Sequence, residues 1–502
     1  MPDTASRNTA FPVVETTIEQ IHAAYRTGQL TARALVQSYL DRIAHYDKRG
    51  PSLNALISLN PDALAEADRL DAAFAAKGPV GALHGIPVVM KDQGDVKGMP
   101  TTLGSVLFKN HFPNRDSTVV SKLKAAGAIF LGKATLGELG GGDTHGSLFG
   151  STRNPYDLTR TAGGSSGGSA VCVAANFATL AVGQEGFASI RRPSIWNNIV
   201  GMRPTAGLVS RGGVYAGWPS INGSLGPMAR TVTDLARMLN VMVGYDPLDP
   251  LSARGVGRYP SSYDYGLDAD ALQNARIGVL REPMGFHSEP ASEDFAKVDA
   301  VFNRAIDELR SAGATILDPI SIPQMNELLA KRAVSFAEEE ASFAEYFAGM
   351  EKVPFTTRMD AIRSPDFQKV AQGARSRWMR DHTPVAHHSY LIAREELMTR
   401  MLKVMADHGL DAIVHKAVEH QPTLIEDGVN PPYVDQKGAP HLNTFLVYVP
   451  SIVVPTGFTV DELPTGITFL GRPYDDANMI RFAYAYEQAS FHRRAPASVP
   501  EL

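Results

Sequence analysis

The run Gly163-Gly164-Ser165-Ser166-Gly167-Gly168-Ser169 constrains this chain more than any other stretch: seven small residues in a row, followed at once by apolar sequence from Ala170 to Val182. Small residues let backbone approach backbone closely and leave hydroxyls as the only reactive groups. A second serine, Ser189, lies 24 positions after Ser165 in Gly183-Gln184-Glu185-Gly186-Phe187-Ala188-Ser189-Ile190-Arg191. The apolar run between them is helix-compatible, so a helix is expected to carry the chain out and return the second serine to the first. A flexible linker does not fit beside that run. A phosphate cradle would need the Lys of Gly-x-x-x-x-Gly-Lys-Ser/Thr or the spacing of Gly-x-Gly-x-x-Gly, and neither is present. The cluster does match Gly-x-Ser-x-Gly with Ser165 central, but a nucleophile elbow follows an apolar strand, whereas Asn154 to Thr161 is polar and turn-like.

A serine hydroxyl needs a base, and a lysine serves once burial or a neighbouring cation lowers its pKa. Lys91 ends the β-branched apolar run Gly85-Ile86-Pro87-Val88-Val89-Met90, which as a strand would hold it at the carboxyl edge of a sheet, where α/β proteins place their clefts. By itself a lysine after a strand is ordinary surface.

The rest of the chain reads as alternating strands and helices. Helices are expected from Thr17-Ile18-Glu19-Gln20 and over Thr31 to Tyr46, where Leu35, Tyr39, Ile43 and Tyr46 recur at helical spacing. Strand-like Ala128-Ile129-Phe130-Leu131-Gly132-Lys133 follows the helical pattern from Ser117 to Ala126. Ala275 to Leu280 precedes a helical Glu293 to Ala312, and Ser451 to Pro455 precedes a helical Asp475 to Ser490. The expected fold is α/β: a large mixed, mostly parallel twisted sheet covered by helices on both faces. One domain over 1–502 is expected, with a catalytic core at 65–245 and a helical insertion or cap at 323–438 that carries Phe336, Phe343 and Phe347. Glu338-Glu339-Glu340 reads as a solvated helix face.

Composition excludes several function classes. A formal charge of −5 over 502 residues gives no electrostatic attraction to nucleic acid. The single cysteine, Cys172, lies in apolar sequence and reads as a packed thiol. No stretch is long and apolar enough for a membrane span and no leader pattern opens the chain, so a cytoplasmic protein without membrane contact is expected. The fourteen histidines include no His-Glu-x-x-His, and His415 and His420 are five apart, so no metal and no cofactor is expected. Gly140-Gly141-Gly142, Tyr215 and Trp218 are candidate pocket residues, equally readable as turn and packing positions. Arg191 and Glu185 are expected to brace the Ser189 loop by pairing with each other or with backbone. Ser166 reads as a helix cap and Ser169 as a packing residue.

Lys91, the Gly163 to Ser169 cluster, Ser189 with Ile190-Arg191-Arg192-Pro193-Ser194, and Gly201-Met202-Arg203-Pro204-Thr205 together resemble the amidase signature family. Gly85-Ile86-Pro87, Pro100-Thr101-Thr102, Ala126-Gly127-Ala128, Gly226-Pro227-Met228-Ala229-Arg230 and Gly471-Arg472-Pro473 extend the resemblance over roughly residues 15 to 490, most weakly from 250 to 440. It implies Ser189 as nucleophile, Ser165 as bridging serine held by a cis peptide bond, and Lys91 as general base. It also implies an oxyanion hole from the backbone N–H groups of Gly186, Phe187, Ala188 and Ser189. The chain departs from the family at this loop: members usually carry Asp-x-Gly-Gly-Ser, and here Phe187 and Ala188 stand where glycines would. A side chain at positive φ would be strained, so the departure bears on the oxyanion hole and on substrate choice.

The implied activity is hydrolysis of C–N bonds in small-molecule amides or carbamates by a monomer or homodimer. Phe187 and the aromatic-bearing insertion resemble urethane-cleaving members, and aryl acylamides are a further substrate class. Two alternatives stay open: an amidotransferase subunit that works in a complex, and a non-catalytic binding protein that keeps the fold.

Overall fold

A computed structural model describes residues 11–215 and 223–502. Eleven strands form one sheet: β1 (Leu56–Leu59), β2 (Pro87–Lys91), β3 (Ile129–Ala134), β4 (Leu180–Glu185), β5 (Val200–Arg203), β6 (Ser224–Ala229), β7 (Arg276–Leu280), β8 (Thr315–Ile320), β9 (Ala412–Lys416), β10 (Ser451–Phe458) and β11 (Pro464–Leu470). Their order across the sheet is β1-β3-β2-β4-β6-β5-β10-β11-β9-β7-β8. The central strands are buried along their whole length, which is why they read as continuous apolar runs without alternation.

The sheet is mixed, as expected, but it is not mostly parallel. Parallel pairing joins β2 to β3 and β4, and β7 to β8 and β9. The other six neighbouring pairs are antiparallel. Parallel neighbours need helical crossovers, and those are the alternations visible in sequence, such as β2 to β3 through Thr118–Ala125 and β7 to β8 through Glu293–Ser311. The antiparallel centre includes the β10–β11 hairpin, so the stretch between Pro455 and Asp475 supplies a second strand before the helix.

Helices cover both faces. Gly167–Ala174 packs on β2, β4 and β6, and Arg191–Trp196 packs on β5, β10 and β11. Val232–Met242, Glu293–Ser311 and Asp476–Ser490 form a second group against the sheet, with Asp476–Ser490 touching both of the others. The N-terminal helices Ile18–Thr27 and Ala32–Tyr46 form as their caps predict: Thr17 and Gln20 make a capping box, and Thr31 accepts from Ala34 N. Cys172 is fully buried, and burial pushes its thiol up, as a packed cysteine requires.

Three expectations are corrected. The apolar run Ala170 to Val182 is not one helix: the helix ends at Ala174, Asn176 takes the left-handed conformation at φ 56°, and the chain re-enters the sheet as β4. Burial on every side removes the periodicity that would have separated helix from strand. The stretch 323–438 is helical from Met325–Leu329 through Pro384–Asp407, but then supplies β9, an interior strand between β7 and β11. Glu338, Glu339 and Glu340 are half-buried and engaged rather than solvated. Glu338 pairs with His387, Glu339 with Arg358, and Glu340 accepts from the backbone N–H groups of Arg358 and Met359.

Candidate functional site

Lys91, Ser165 and Ser189 are drawn together by three different devices. Lys91 is the last residue of β2 and fully buried, at the carboxyl end of a strand paired in parallel with β4. Ser165 is held by the turn that leads into the Gly167–Ala174 helix. Ser189 lies in the loop between β4 and the Arg191–Trp196 helix. The strand β4, not a long helix, returns the chain to the first serine.

The cluster fits only because its glycines have no side chain. A Cβ on Gly164 would lie 2.3 Å from the carbonyl oxygen of Gly142, and Gly163 stands at φ 77° with Trp196 Cε3 2.9 Å from where its Cβ would be. The Gly164–Ser165 peptide is cis. Lys91 Nζ donates to Ser165 Oγ at 2.7 Å and to the carbonyl of Gln184 at 3.1 Å, and Ser165 Oγ donates to the carbonyl of Gly140 at 2.9 Å. Burial holds the Lys91 amine well below the ordinary lysine value, against a weaker opposing pull from Glu185. A neutral amine keeps a lone pair, and the Ser165 hydroxyl can rotate to donate to it.

Ser166 stands at the N-cap position but its side chain does not cap. Its Oγ exchanges hydrogen bonds with the backbone of Gln184 at 3.3 Å, and its N–H donates to the carbonyl of Ser189 at 3.0 Å. Ser169 packs as expected, donating to the carbonyl of Val182.

Ser189 is 9% exposed, and its Oγ has no hydrogen-bond partner among the described residues. The N–H groups of Gly186, Phe187, Ala188 and Ser189 likewise meet no acceptor among them, whereas Ile190 N and Arg191 N both donate to Glu185 Oε2 at 2.9 Å. These four free N–H groups lie in a loop of which Phe187 and Ser189 line a cleft. Neither Phe187 nor Ala188 has positive φ, so the missing glycines cost no left-handed strain.

Glu185 is the brace of this loop. Its Oε1 accepts from Arg191 Nε at 2.8 Å and Nη2 at 2.6 Å, with Arg203 3.7 Å away. Burial pushes the Glu185 carboxyl up, but Arg191 and Arg203 together hold it below the ordinary carboxylate value. The expected Glu185–Arg191 pairing is therefore present.

A cleft of about 640 Å³ opens in front of Ser189. Gly140, Gly141, Gly142 and Phe187 line it, as do Phe286, Arg332, Arg377, Tyr433 and Asp435. Phe187 is buried against Ala188, Ala439 and Phe286, with the His441 ring edge-on at 5.6 Å and Arg332 Cζ 4.6 Å from its centroid. Arg377 donates to the carbonyl of Gly141 at 2.7 Å and pairs with Asp435 at 2.8 Å, which fixes the glycine loop against the Gln372–Trp378 helix. Tyr215 is corrected: it is buried against Phe343 and Tyr346 and is not part of the cleft lining. Its neighbour Gly213 closes on Ser117 rather than on the site. Trp218 lies outside the described residues. Phe286, Arg332, Arg377 and Asp435 were missed, because they are single residues scattered over divergent sequence with no motif around them. No group of three or more His, Cys, Asp or Glu among the described residues is arranged to hold a metal, and no helix among them is long and apolar enough to cross a membrane.

Comparison with known proteins bears on this constellation. A family model described as Amidase matches residues 34–480. The chain is 32% identical to a glutamyl-tRNA(Gln) amidotransferase subunit from Symbiobacterium thermophilum, over 96% of this chain and 98% of that protein. Among solved structures, the peptide amidase of Stenotrophomonas maltophilia is 32% identical with a TM-score of 0.85, covering 97% of this chain and all of the other. A bacterial aryl acylamidase of the amidase signature enzymes is 25% identical with a TM-score of 0.80, over 98% of this chain and 100% of that one.

Proposed function

The chain belongs to the amidase family, the amidase signature enzymes, and on that premise we propose that it hydrolyses the C–N bond of an amide or carbamate through an acyl-enzyme on Ser189. One observation carries the reading: a fully buried lysine amine lies 2.7 Å from the hydroxyl of Ser165, the residue before the one whose N–H is fastened to the Ser189 carbonyl.

The chemistry follows from those positions. Ser189 Oγ attacks the carbonyl carbon while its proton moves to Ser165 Oγ, and the Ser165 proton moves to the Lys91 lone pair. The carbonyl oxygen gains the negative charge among the N–H groups of residues 186 to 189, each donor contributing about 3 kcal/mol to the transition state. Collapse breaks the C–N bond, and the proton held by Lys91 returns through Ser165 to the departing nitrogen, because an amine leaves poorly unprotonated. Water then repeats the sequence against the acyl-enzyme and releases the acid. A carbamate presents the same carbonyl, and its acyl-enzyme releases an alcohol and carbon dioxide after deacylation.

A second reading is an amidotransferase subunit, favoured by the likeness to the glutamyl-tRNA(Gln) amidotransferase protein over 96% of this chain. The peptide amidase is as similar in sequence, so identity does not separate the two. The deciding experiment offers the purified chain, alone, a panel of p-nitroanilides, aliphatic amides, aryl carbamates and glutamine. Turnover of anilides or carbamates that is lost in Ser189→Ala supports the hydrolase. Ammonia release from glutamine only, and only with added partner proteins, supports the amidotransferase. Unchanged turnover in Ser189→Ala removes Ser189 from the chemistry.

A further inference from the structure

Around Ser189 the charges do not cancel. The cleft is lined by four cationic side chains, Arg332, Arg377, Arg380 and Lys437, and by two carboxylates, Glu289 and Asp435. Both carboxylates are taken: Asp435 pairs with Arg377 at 2.8 Å and Glu289 with Lys437 at 3.0 Å. Arg332 and Arg380 are left with no ion pair and no side-chain hydrogen bond among the described residues. A chain of net charge −5 thus places two guanidinium groups without a direct ion-pair partner in the cleft that Ser189 lines, while the Glu339 carboxyl feels the Arg380 cation.

These two arginines also line a second cavity of about 430 Å³, with Phe286, Leu329, His382 and His441 among its walls and no carboxylate in it. Arg332 stands where the two spaces meet, its guanidinium over the Phe187 ring at 4.6 Å, next to the loop of free N–H donors. That ring contact uses the face of the guanidinium and leaves its N–H donors without a partner among the described residues. Desolvation, together with the nearby Arg332 cation, pushes His441 down to about 4, so it adds no charge near neutral pH. Burial lowers the Arg332 value most, Tyr390 opposes it and the Arg380 cation lowers it further, with no carboxylate acting on it.

We propose that the substrate amide or carbamate carries a carboxylate, and that Arg332 and Arg380 bind it while Ser189 attacks the carbonyl. This rests on the hydrolase reading above. Two guanidinium forks match a planar carboxylate, and the apolar walls of Phe286 and Leu329 suit the carbon chain that separates it from the scissile bond. The carboxylate can lie on the acyl side or on the amine side.

The test uses matched substrate pairs on the unmodified enzyme. Glutaryl-p-nitroanilide against its methyl ester probes the acyl side. The acetanilide of 4-aminobenzoate against that of its methyl ester probes the amine side. One pair is expected to show kcat/KM about ten- to a hundredfold higher for the carboxylate, the size of a charge-assisted contact. That preference should shrink with added salt and fall at least tenfold in Arg332→Met, with partial recovery in Arg332→Lys. Equal kcat/KM within both pairs, with turnover still dependent on Ser189, overturns the carboxylate site alone. A separate titration of glutarate and 4-acetamidobenzoate into folded Ser189→Ala protein reads the site without catalysis. Binding that Arg332→Met weakens tenfold supports the site even if no substrate in the panel is turned over. Failure of both anions to bind overturns it.

Discussion

The N–H of Ser166 donates to the carbonyl of Ser189 across 3.0 Å, so the residue after one serine is fastened to the other. That bond joins residues 23 positions apart and ties the Ser189 loop to the cluster that holds Ser165, while the Ser189 hydroxyl itself makes no hydrogen bond among the described residues. Removing the three groups should therefore give graded losses. Ser189→Ala is expected to lower kcat by about 10⁴-fold or more. Lys91→Ala should lose orders of magnitude, and Ser165→Ala should fall between an intact relay and none. Single-turnover release of p-nitroaniline by each purified variant measures the order, and a Ser165→Ala loss exceeding that of Ser189→Ala would contradict it.

The Lys91 amine must be neutral to accept the proton, and burial lowers its pKa well below the ordinary 10.5. Activity should rise with pH through that lowered value and fall below it with a slope of one in log kcat/KM against pH. An acid limb that Ser189-independent binding of substrate does not share identifies the base. A flat profile into the acid range would count against Lys91.

The same amine sets a pH dependence of stability. Its folded pKa is depressed, so between that value and 10.5 the unfolded chain binds a proton that the folded chain does not. Stability therefore rises with pH across this window, and the cost of keeping the amine neutral is gone above 10.5. Lys91→Met, which fills the space without the amine, should be more stable than the parent near neutral pH, and the difference should narrow as pH approaches 10.5. Urea unfolding at several pH values checks it; an advantage that grows with pH has the wrong sign.

Glu185 is fully buried and binds four donors from Ile190 and Arg191. Glu185→Ala leaves the Arg191 cation buried without a partner, and about 3 to 5 kcal/mol of stability should be lost. The N–H groups before Ser189 depend on that brace, so kcat should fall as well. Thermal unfolding and kcat in Glu185→Gln, which keeps the shape and half the acceptors, separate the two effects: a smaller stability loss with kcat still reduced is expected.

Phe187→Gly, which brings back the small residue usual in relatives of this type, should not improve catalysis, because Phe187 is not at positive φ. It should instead remove a buried ring packed on Phe286, His441 and Arg332, at a cost of about 3 kcal/mol. Widening the cleft there should raise kcat/KM for bulky acyl groups relative to small ones. A gain in kcat on small substrates would show that the ring obstructs the oxyanion donors.

Ser165 and Ser189 stood out as candidates because each lies in a run of small residues with few other uses, Lys91 only once the family resemblance singled it out from ordinary strand-end lysines, and Glu185 with Arg191 because two opposite charges in a loop of small residues have little else to pair with. Strands β2, β3 and β7 were legible as short apolar runs bounded by turns. The β4 strand was not, since Leu180 to Val182 continues the apolar run of the preceding helix without a break in hydrophobicity, and only the turn at Asn176 divides them. Tyr215 misled because an aromatic beside glycines reads alike as wall or core, and it packs with Phe343 and Tyr346. The far wall of the cleft was invisible: Arg332, Arg377 and Asp435 come from separate segments that only the tertiary fold brings to one place.

The glycine loop gives that far wall a grip on the chemistry. Gly140 presents its carbonyl to the hydroxyl of Ser165, and Gly141, one peptide further, presents its own to Arg377 on the Gln372–Trp378 helix. The two carbonyls belong to consecutive peptide units joined at the Gly141 Cα, so the acceptor beside Ser165 and the contact to that helix are linked through one residue. The far wall of the cleft and the hydroxyl beside Lys91 thus share one pivot at Gly141.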